Sequence, residues 1–260
     1  MENNILYDIF AFFTSPETAQ SWMGHLYDNF IKDDRWTWLL NGLWVTIQLT
    51  VCAFILGLIL GIIIAIIRIS HDQNVDFVAV SFSQKVKKFI LNVANLICKI
   101  YLTVIQGTPT IVQIMIIYFV IFAESTNKLG VAILGFTINS SAYIAEIIRG
   151  GIKSVDKGQM EAGRSLGFGY VPTMFYVIIP QALKNALPAL CNELVVLLKE
   201  TAVASMIAMQ DLLAAAILIR SRTYNVFLPL IAAAIIYLVI VTIIRMLLTR
   251  LERRLNKSER

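Results

Sequence analysis

Two carboxylates, Glu193 and Glu200, lie in an otherwise apolar stretch of the sequence. They are seven residues apart, so a helix would place them two turns apart on the same face. Because a charge that faces lipid is costly, ionisable side chains in such stretches commonly face a path for a polar solute. The pair could hold an ammonium group or another cation. A structural ion pair, such as Glu200 with Lys199, is an equally good interpretation.

Uncharged polar side chains are further candidates for lining the same path. Four of them lie in or beside apolar segments: Thr108, Gln113, Asn139 and Tyr143. Polar residues inside a membrane segment usually face protein or water rather than lipid. Glu146 and Arg149 are three residues apart near the end of one segment, and we interpret them as a structural or gating pair.

Residues suited to catalysis or metal binding form no known pattern in this sequence. The two histidines, His25 and His71, have no carboxylate or cysteine at a catalytic spacing. The three cysteines lie in or beside apolar segments at unrelated spacings, which is typical of buried apolar residues. No glycine-rich phosphate-binding sequence is present. We therefore predict no catalytic residue, no metal site and no ATP site in this chain.

The composition identifies the elements that must position these side chains. The chain has 260 residues, 58% of them hydrophobic, and a mean hydropathy of +0.73. The run from Trp36 to Ile67 contains no charged residue and is longer than the roughly 20 residues that cross a bilayer as a helix. The sequence therefore predicts an all-α polytopic membrane protein rather than a soluble one.

We predict about five membrane-spanning helices, at residues 39–67, 108–123, 129–148, 182–207 and 226–248. We interpret residues 89–106 as a partly interfacial helix that leads into the second span. Residues 210–225 are interpreted as a surface turn or a short helix. Ser15 and Pro16 resemble a helix start, so we expect an interfacial helix within residues 1–35.

The basic residues predict the orientation of these spans. Only five of the 22 Lys and Arg residues fall on the side of the N-terminus: Lys32, Arg35, Lys128, Arg220 and Arg222. Because cytoplasmic loops are enriched in Lys and Arg, the N-terminus is predicted to lie outside and the C-terminus in the cytoplasm. Residues 1–35 are then extracytoplasmic, and residues 250–260 form a basic cytoplasmic tail.

One polar segment interrupts the apolar spans on the predicted cytoplasmic side. Residues 159–166 have the pattern of a short helix, which Gly167 and Gly169 would end. Pro172 can begin the next helix, and Pro180 is predicted to kink or break it. A short charged helix between two membrane segments is suited to contact with another protein.

This segment resembles the EAA signature of ABC importer membrane subunits. Glu161, Ala162, Gly167 and Pro180 are in register with that signature, whereas Gly163 replaces its second alanine. The resemblance implies a coupling helix on the cytoplasmic side, seated in a groove of an ATPase subunit.

Further stretches are similar to the polar-amino-acid permeases of that family: 41–47, 107–113, 141–159 and 192–201. The resemblance implies a type I importer, in which two permease subunits, identical or related, surround a central path. A pair of ATPase subunits binding ATP and Mg²⁺ would lie below them. An extracytoplasmic solute-binding protein would deliver a polar or charged amino acid, which Glu193 and Glu200 could contact.

We therefore predict the permease subunit of an ATP-driven importer in a prokaryotic cell membrane. Its transmembrane domain would occupy residues 36–249, with a coupling segment at 153–180. ATP hydrolysis would take place in the partner, so this chain would not be an enzyme. The alternative is a secondary amino-acid transporter, which would need no ATPase. A membrane enzyme is a third and poorer alternative, because neither histidine has a carboxylate or cysteine partner at a catalytic spacing.

Overall fold

The computed structural model describes residues 16–73 and 81–256, and within this part every regular element is helical. The prediction of an all-α fold is confirmed. We number the α-helices α1 (Pro16–Leu26), α2 (Trp36–Gln73), α3 (Phe82–Gly107), α4 (Thr110–Ile116), α5 (Lys128–Lys153), α6 (Lys157–Ser165), α7 (Tyr170–Thr173), α8 (Ile179–Glu200), α9 (Leu212–Thr223) and α10 (Phe227–Asn256).

Helix α2 is longer than predicted. Its 38 residues give a length of roughly 57 Å, well beyond the roughly 30 Å hydrocarbon layer. The predicted span of residues 39–67 lies within this helix. The helix continues beyond Arg68 to Gln73. Its last turns are held by an ion pair between Asp72 and Lys153 of α5.

The second span was also placed wrongly. Helix α3 is itself long and apolar enough to cross a membrane, whereas the following apolar helix, Thr110–Ile121, is short. The lysines at 85, 87 and 88 belong to the first turns of α3 and leave an apolar stretch behind them. Thr108 and Pro109 have extended backbones and separate the two helices, because a residue before proline avoids the helical region.

A bent pair of helices forms the fourth span. The chain is helical from Tyr170 to Ile207, and α9 then follows at an angle of 47°. Ala208 takes a left-handed conformation at the break, and the Asp211 carboxylate accepts a hydrogen bond from the Ala214 amide (3.0 Å). With this pair counted as one span, the described residues contain five candidate spans, which is the predicted number.

Of the two alternatives predicted for residues 210–225, the short helix is the one observed, but α9 is packed into the bundle. Leu212, Ala216 and Ile219 are fully buried and pack with Leu39 of α2 and Ala233 of α10. Long-range packing therefore fixes a helix that is too short to be recognised as part of a span.

The centre of the bundle is the packing of α5 against α2 and α8. Phe136 of α5 is fully buried among Leu49 and Ala53 of α2 and Leu197 of α8. Gly151 permits α5 to approach α8 closely, since a Cβ there would lie 2.8 Å from the Ala182 carbonyl oxygen.

A Gly42→Ala substitution is expected to lower stability, because α9 begins directly against Gly42. An added Cβ would lie 2.6 Å from the Asp211 carbonyl oxygen, a backbone atom. Such overpacking typically costs about 1–3 kcal/mol, and we expect a lower melting temperature in detergent. The matched control is Gly24→Ala, since no described residue outside its own turns of α1 lies within 4 Å of the Cβ it would add. Equal melting temperatures for the two variants would contradict the packing.

Candidate functional site

Glu193 and Glu200 lie on α8 and approach one residue of α5. Both carboxylates are close enough to Tyr143 to interact with it electrostatically. Glu193 also lies beside the buried hydroxyl of Ser140. Neither carboxylate forms an ion pair within the described part of the chain. The facing surfaces of α5 and α8 thus present two acidic groups and two hydroxyl groups together.

The other three predicted lining residues, Thr108, Gln113 and Asn139, are linked by hydrogen bonds. The Asn139 amide donates to Gln113 Oε1 (2.9 Å), and Gln113 Nε2 donates to Thr108 Oγ1 (2.7 Å) and the Ile105 carbonyl (2.7 Å). Gln113 and Asn139 are buried, whereas Thr108 is exposed. This cluster links α5 to both sides of the break between α3 and α4, and a role in solute binding stays a prediction.

The predicted pair Glu146–Arg149 belongs to a larger ionic network. Arg149 Nε lies 3.9 Å from Glu146, and Arg68 of α2 lies 4.0 Å from the same carboxylate. Asp72 of α2 contacts Lys153 (3.0 Å) and Arg149 (3.9 Å). The network joins the ends of α2 and α5 immediately before the polar segment, and its function as a gate stays a prediction.

The polar segment has the local structure that its sequence indicates. Asp156 begins α6 by accepting a hydrogen bond from the Gly158 amide (2.6 Å). Gly167 follows the helix with a φ of 88°, which glycine adopts without strain. Pro172 lies in the four-residue helix α7, as expected. Pro180 does not break the helix: the chain stays helical from Tyr170 to Ile207, with a π-helical turn at Met174–Ile178 immediately before the proline.

Helix α6 has one packed face and one open face. Glu161 and Ala162 are exposed, whereas Gly163 is buried against Thr173 of α7. A Cβ at residue 163 would overlap Thr173 Cγ2, so the glycine permits this contact.

The family to which the chain is similar is one in which a polar segment of this kind is expected. The model of the binding-protein-dependent transport system inner membrane components matches residues 77–257. The chain belongs to this family. It is a multi-pass membrane permease, and a coupling helix with the EAA motif is typical of such proteins.

Curated relatives match this permease over most of its length. The arginine transport system permease protein ArtQ of Bacillus subtilis (strain 168) is 36% identical over 224 residues, 85% of this chain and 94% of that protein. The putative glutamine transport system permease protein GlnP of Rickettsia prowazekii (strain Madrid E) is 34% identical over 84% of this chain and 92% of its own length. The L-cystine permease TcyB of Bacillus subtilis (strain 168) is 34% identical over 87% and 90%.

Solved structures agree with this assignment. The permease superposes on a chain of an amino acid ABC transporter crystallised with histidines, with a TM-score of 0.73 and 39% identity over 86% of this chain and 98% of that one. The inward-facing methionine ABC transporter MetNI gives a TM-score of 0.66 at 17% identity over 84% and 95%, a likeness of fold. The fold is that of a type I ABC importer transmembrane domain, and the secondary-transporter alternative is not supported.

The N-terminal helix of the permease and the π-helical turn after it, Tyr27–Ile31, precede the matched family region and contact the turn between α9 and α10. Buried Asn29 accepts a hydrogen bond from Thr223 (2.9 Å), and Trp22 contacts Phe227 edge to face at 6.5 Å. Sequence reasoning missed this contact, because it joins residues almost 200 positions apart.

Sequence reasoning also missed an exposed apolar patch beside the coupling helix. Leu166, Phe168 and Val171 are 79%, 52% and 70% exposed and flank Gly167. A signal was available, since apolar residues around a helix-ending glycine in a polar segment indicate a contact surface.

Proposed function

We propose that this permease carries a polar or charged amino acid across a prokaryotic cell membrane. The observation that carries the proposal is the approach of Glu193 and Glu200 of α8 to Tyr143 of α5, with Ser140 beside Glu193. The carboxylates would bind an ammonium or cationic group, and the hydroxyl groups would bind other polar atoms. The names of the arginine, glutamine and cystine relatives support this class of substrate.

We further propose that two permease subunits, identical or related, form the path. ATP and Mg²⁺ would bind a dimer of ATPase subunits at the coupling helices, so this chain would not hydrolyse ATP. A solute-binding protein would deliver the amino acid on the outer side. Residues 36–249 would form the transmembrane domain with its coupling segment at 153–180, residues 1–35 an outer segment, and residues 250–260 a cytoplasmic tail.

The packing of α6 suggests how ATP binding to the ATPase would move the helix that carries the two carboxylates. Gly163 of α6 packs directly against Thr173. From Tyr170 the chain is helical as far as Ile207, and this stretch includes both carboxylates. A movement of α6 with the ATPase would therefore move the outer half of α8. Such a rigid element can pass a two-state change from the ATPase to the path.

Reconstitution tests the proposed function directly. The permease, its ATPase and its binding protein would be placed in vesicles, and uptake of labelled arginine, glutamine and cystine measured. We expect uptake of at least one amino acid that requires ATP and the binding protein. Uptake driven by an ion gradient without the ATPase would contradict the proposal.

We expect the C-terminus in the cytoplasm, because most Lys and Arg residues lie on that side. Single cysteines would replace Tyr224, which is 92% exposed, or exposed Arg253, in a variant without the native cysteines. An impermeant thiol reagent should label position 224 in intact cells and position 253 only after permeabilisation. The opposite labelling would refute the topology.

A further inference from the structure

An apolar groove of about 490 Å³ lies among α2, α5, α8 and α10. Its wall is formed by aliphatic side chains from all four helices, with Phe54 and Cys191 beside them. Leu58 and Ile62 come from α2, Leu183 and Leu187 from α8, and Leu251 from α10. A groove with this lining, open at the side of a membrane bundle, suits a hydrocarbon chain.

The end of α10 beside this groove is strongly basic. Four arginines are exposed there and form no ion pair with any other described residue: Arg245, Arg250, Arg253 and Arg254. Arg245 lines a smaller cavity that shares Cys191 and Leu248 with the groove, and half-buried Glu252 lies in the same cavity. Among the described residues at this end, four arginines and this one carboxylate leave three positive charges in excess.

We propose that the groove holds one acyl chain of an anionic phospholipid, whose phosphate is bound by the arginines of α10. Guanidinium groups bind phosphate oxygens through paired, charge-assisted hydrogen bonds. Basic residues at the cytoplasmic end of a membrane helix are attracted to anionic headgroups. The lipid would join α10 to the helices that carry the ionic network and the two carboxylates.

A second copy of the permease is a less suitable occupant. Two subunits in one membrane are related by an axis along the membrane normal, so packing groove on groove would bring both basic ends of α10 to the same level. Like charges would then face each other, whereas an anionic lipid neutralises them. The inference needs the proposed orientation in the membrane but holds whatever solute is carried.

Native mass spectrometry of the permease–ATPase complex, supplied with phosphatidylglycerol, tests the proposal. Replacement of Arg250, Arg253 and Arg254 by alanine should lower phosphatidylglycerol retention on the order of a hundredfold, since each cation attracts the headgroup. Leu183→Trp should displace the lipid by filling the groove. Leu183 is 58% exposed, so the larger ring can be accommodated without disturbing the core.

Two matched control variants distinguish lipid binding in the groove from general effects of the substitutions. Leu238→Trp places the same ring on an exposed position of α10 outside the groove, and Arg222→Ala removes a cation from α9. Both should retain the lipid. Unchanged retention in the triple arginine variant, or equal retention of phosphatidylcholine by the native complex, would overturn the proposal. A disulfide between Leu183→Cys residues of two permease subunits would also overturn it, because the groove would then be an interface between subunits.

Discussion

A Glu161→Lys variant of the permease is expected to insert normally and to lose the stimulation of ATPase activity by substrate. Glu161 is exposed on α6, next to the apolar patch of Leu166, Phe168 and Val171. Reversing a charge at a protein interface places like or unmatched charges together and commonly costs several kcal/mol. We expect stimulated hydrolysis and uptake to fall on the order of tenfold or more.

The matched control for this prediction is Glu124→Lys. Glu124 is an exposed carboxylate in the loop before α5, so the same charge reversal occurs away from α6. Membrane content, co-purification with the ATPase, and hydrolysis would be measured for both variants. Normal uptake by the Glu161→Lys complex would show that α6 does not carry the coupling.

The second large effect is expected for Glu193→Gln, which keeps the shape of the side chain and removes its charge. A charge-assisted hydrogen bond exceeds a neutral one by about 1 kcal/mol, so transport of a cationic amino acid should fall about fivefold. Basal hydrolysis and assembly should stay near normal, because Glu193 forms no ion pair among the described residues.

If Glu193 has a structural role instead, the variant should lose stability before it loses selectivity in transport. The melting temperature of the complex would fall first, and the remaining complex would keep its selectivity among amino acids. Melting temperature and uptake of arginine against glutamine, measured on the same preparation, distinguish the two roles. A loss of stability with unchanged selectivity would remove Glu193 from the candidate site.

The predicted break at Pro180 is absent, but local signals were sufficient for the first part of the coupling segment. Its charged residues, its glycines and Pro172 act within one or two turns, so the sequence predicts where α6 begins and ends. The pairing of Glu193 with Glu200 follows from helical spacing alone. Their approach to Tyr143 does not, because the packing of α5 on α8 sets it.

Two differences from the sequence prediction, the length of α2 and the burial of α9, arise from contact between distant parts of the chain. The end of α2 is held by Lys153, and α9 is held by Thr46, whose hydroxyl oxygen accepts a hydrogen bond from the Leu212 amide (3.1 Å). Neither partner can be identified from the neighbouring sequence. The apolar length of α3 was missed because its basic first turns, at residues 85–88, resemble a loop.

The contact between Gly163 and Thr173 makes the two positions epistatic. Alanine at 163 would push α6 away from α7, while Thr173→Ala removes the methyl group that the new Cβ would meet. The double variant should therefore recover uptake that Gly163→Ala loses. A chimaera that exchanges α6 with a relative carrying alanine there would fail unless α7 is exchanged with it. The two helices therefore form one transplantable unit for the design of hybrid importers.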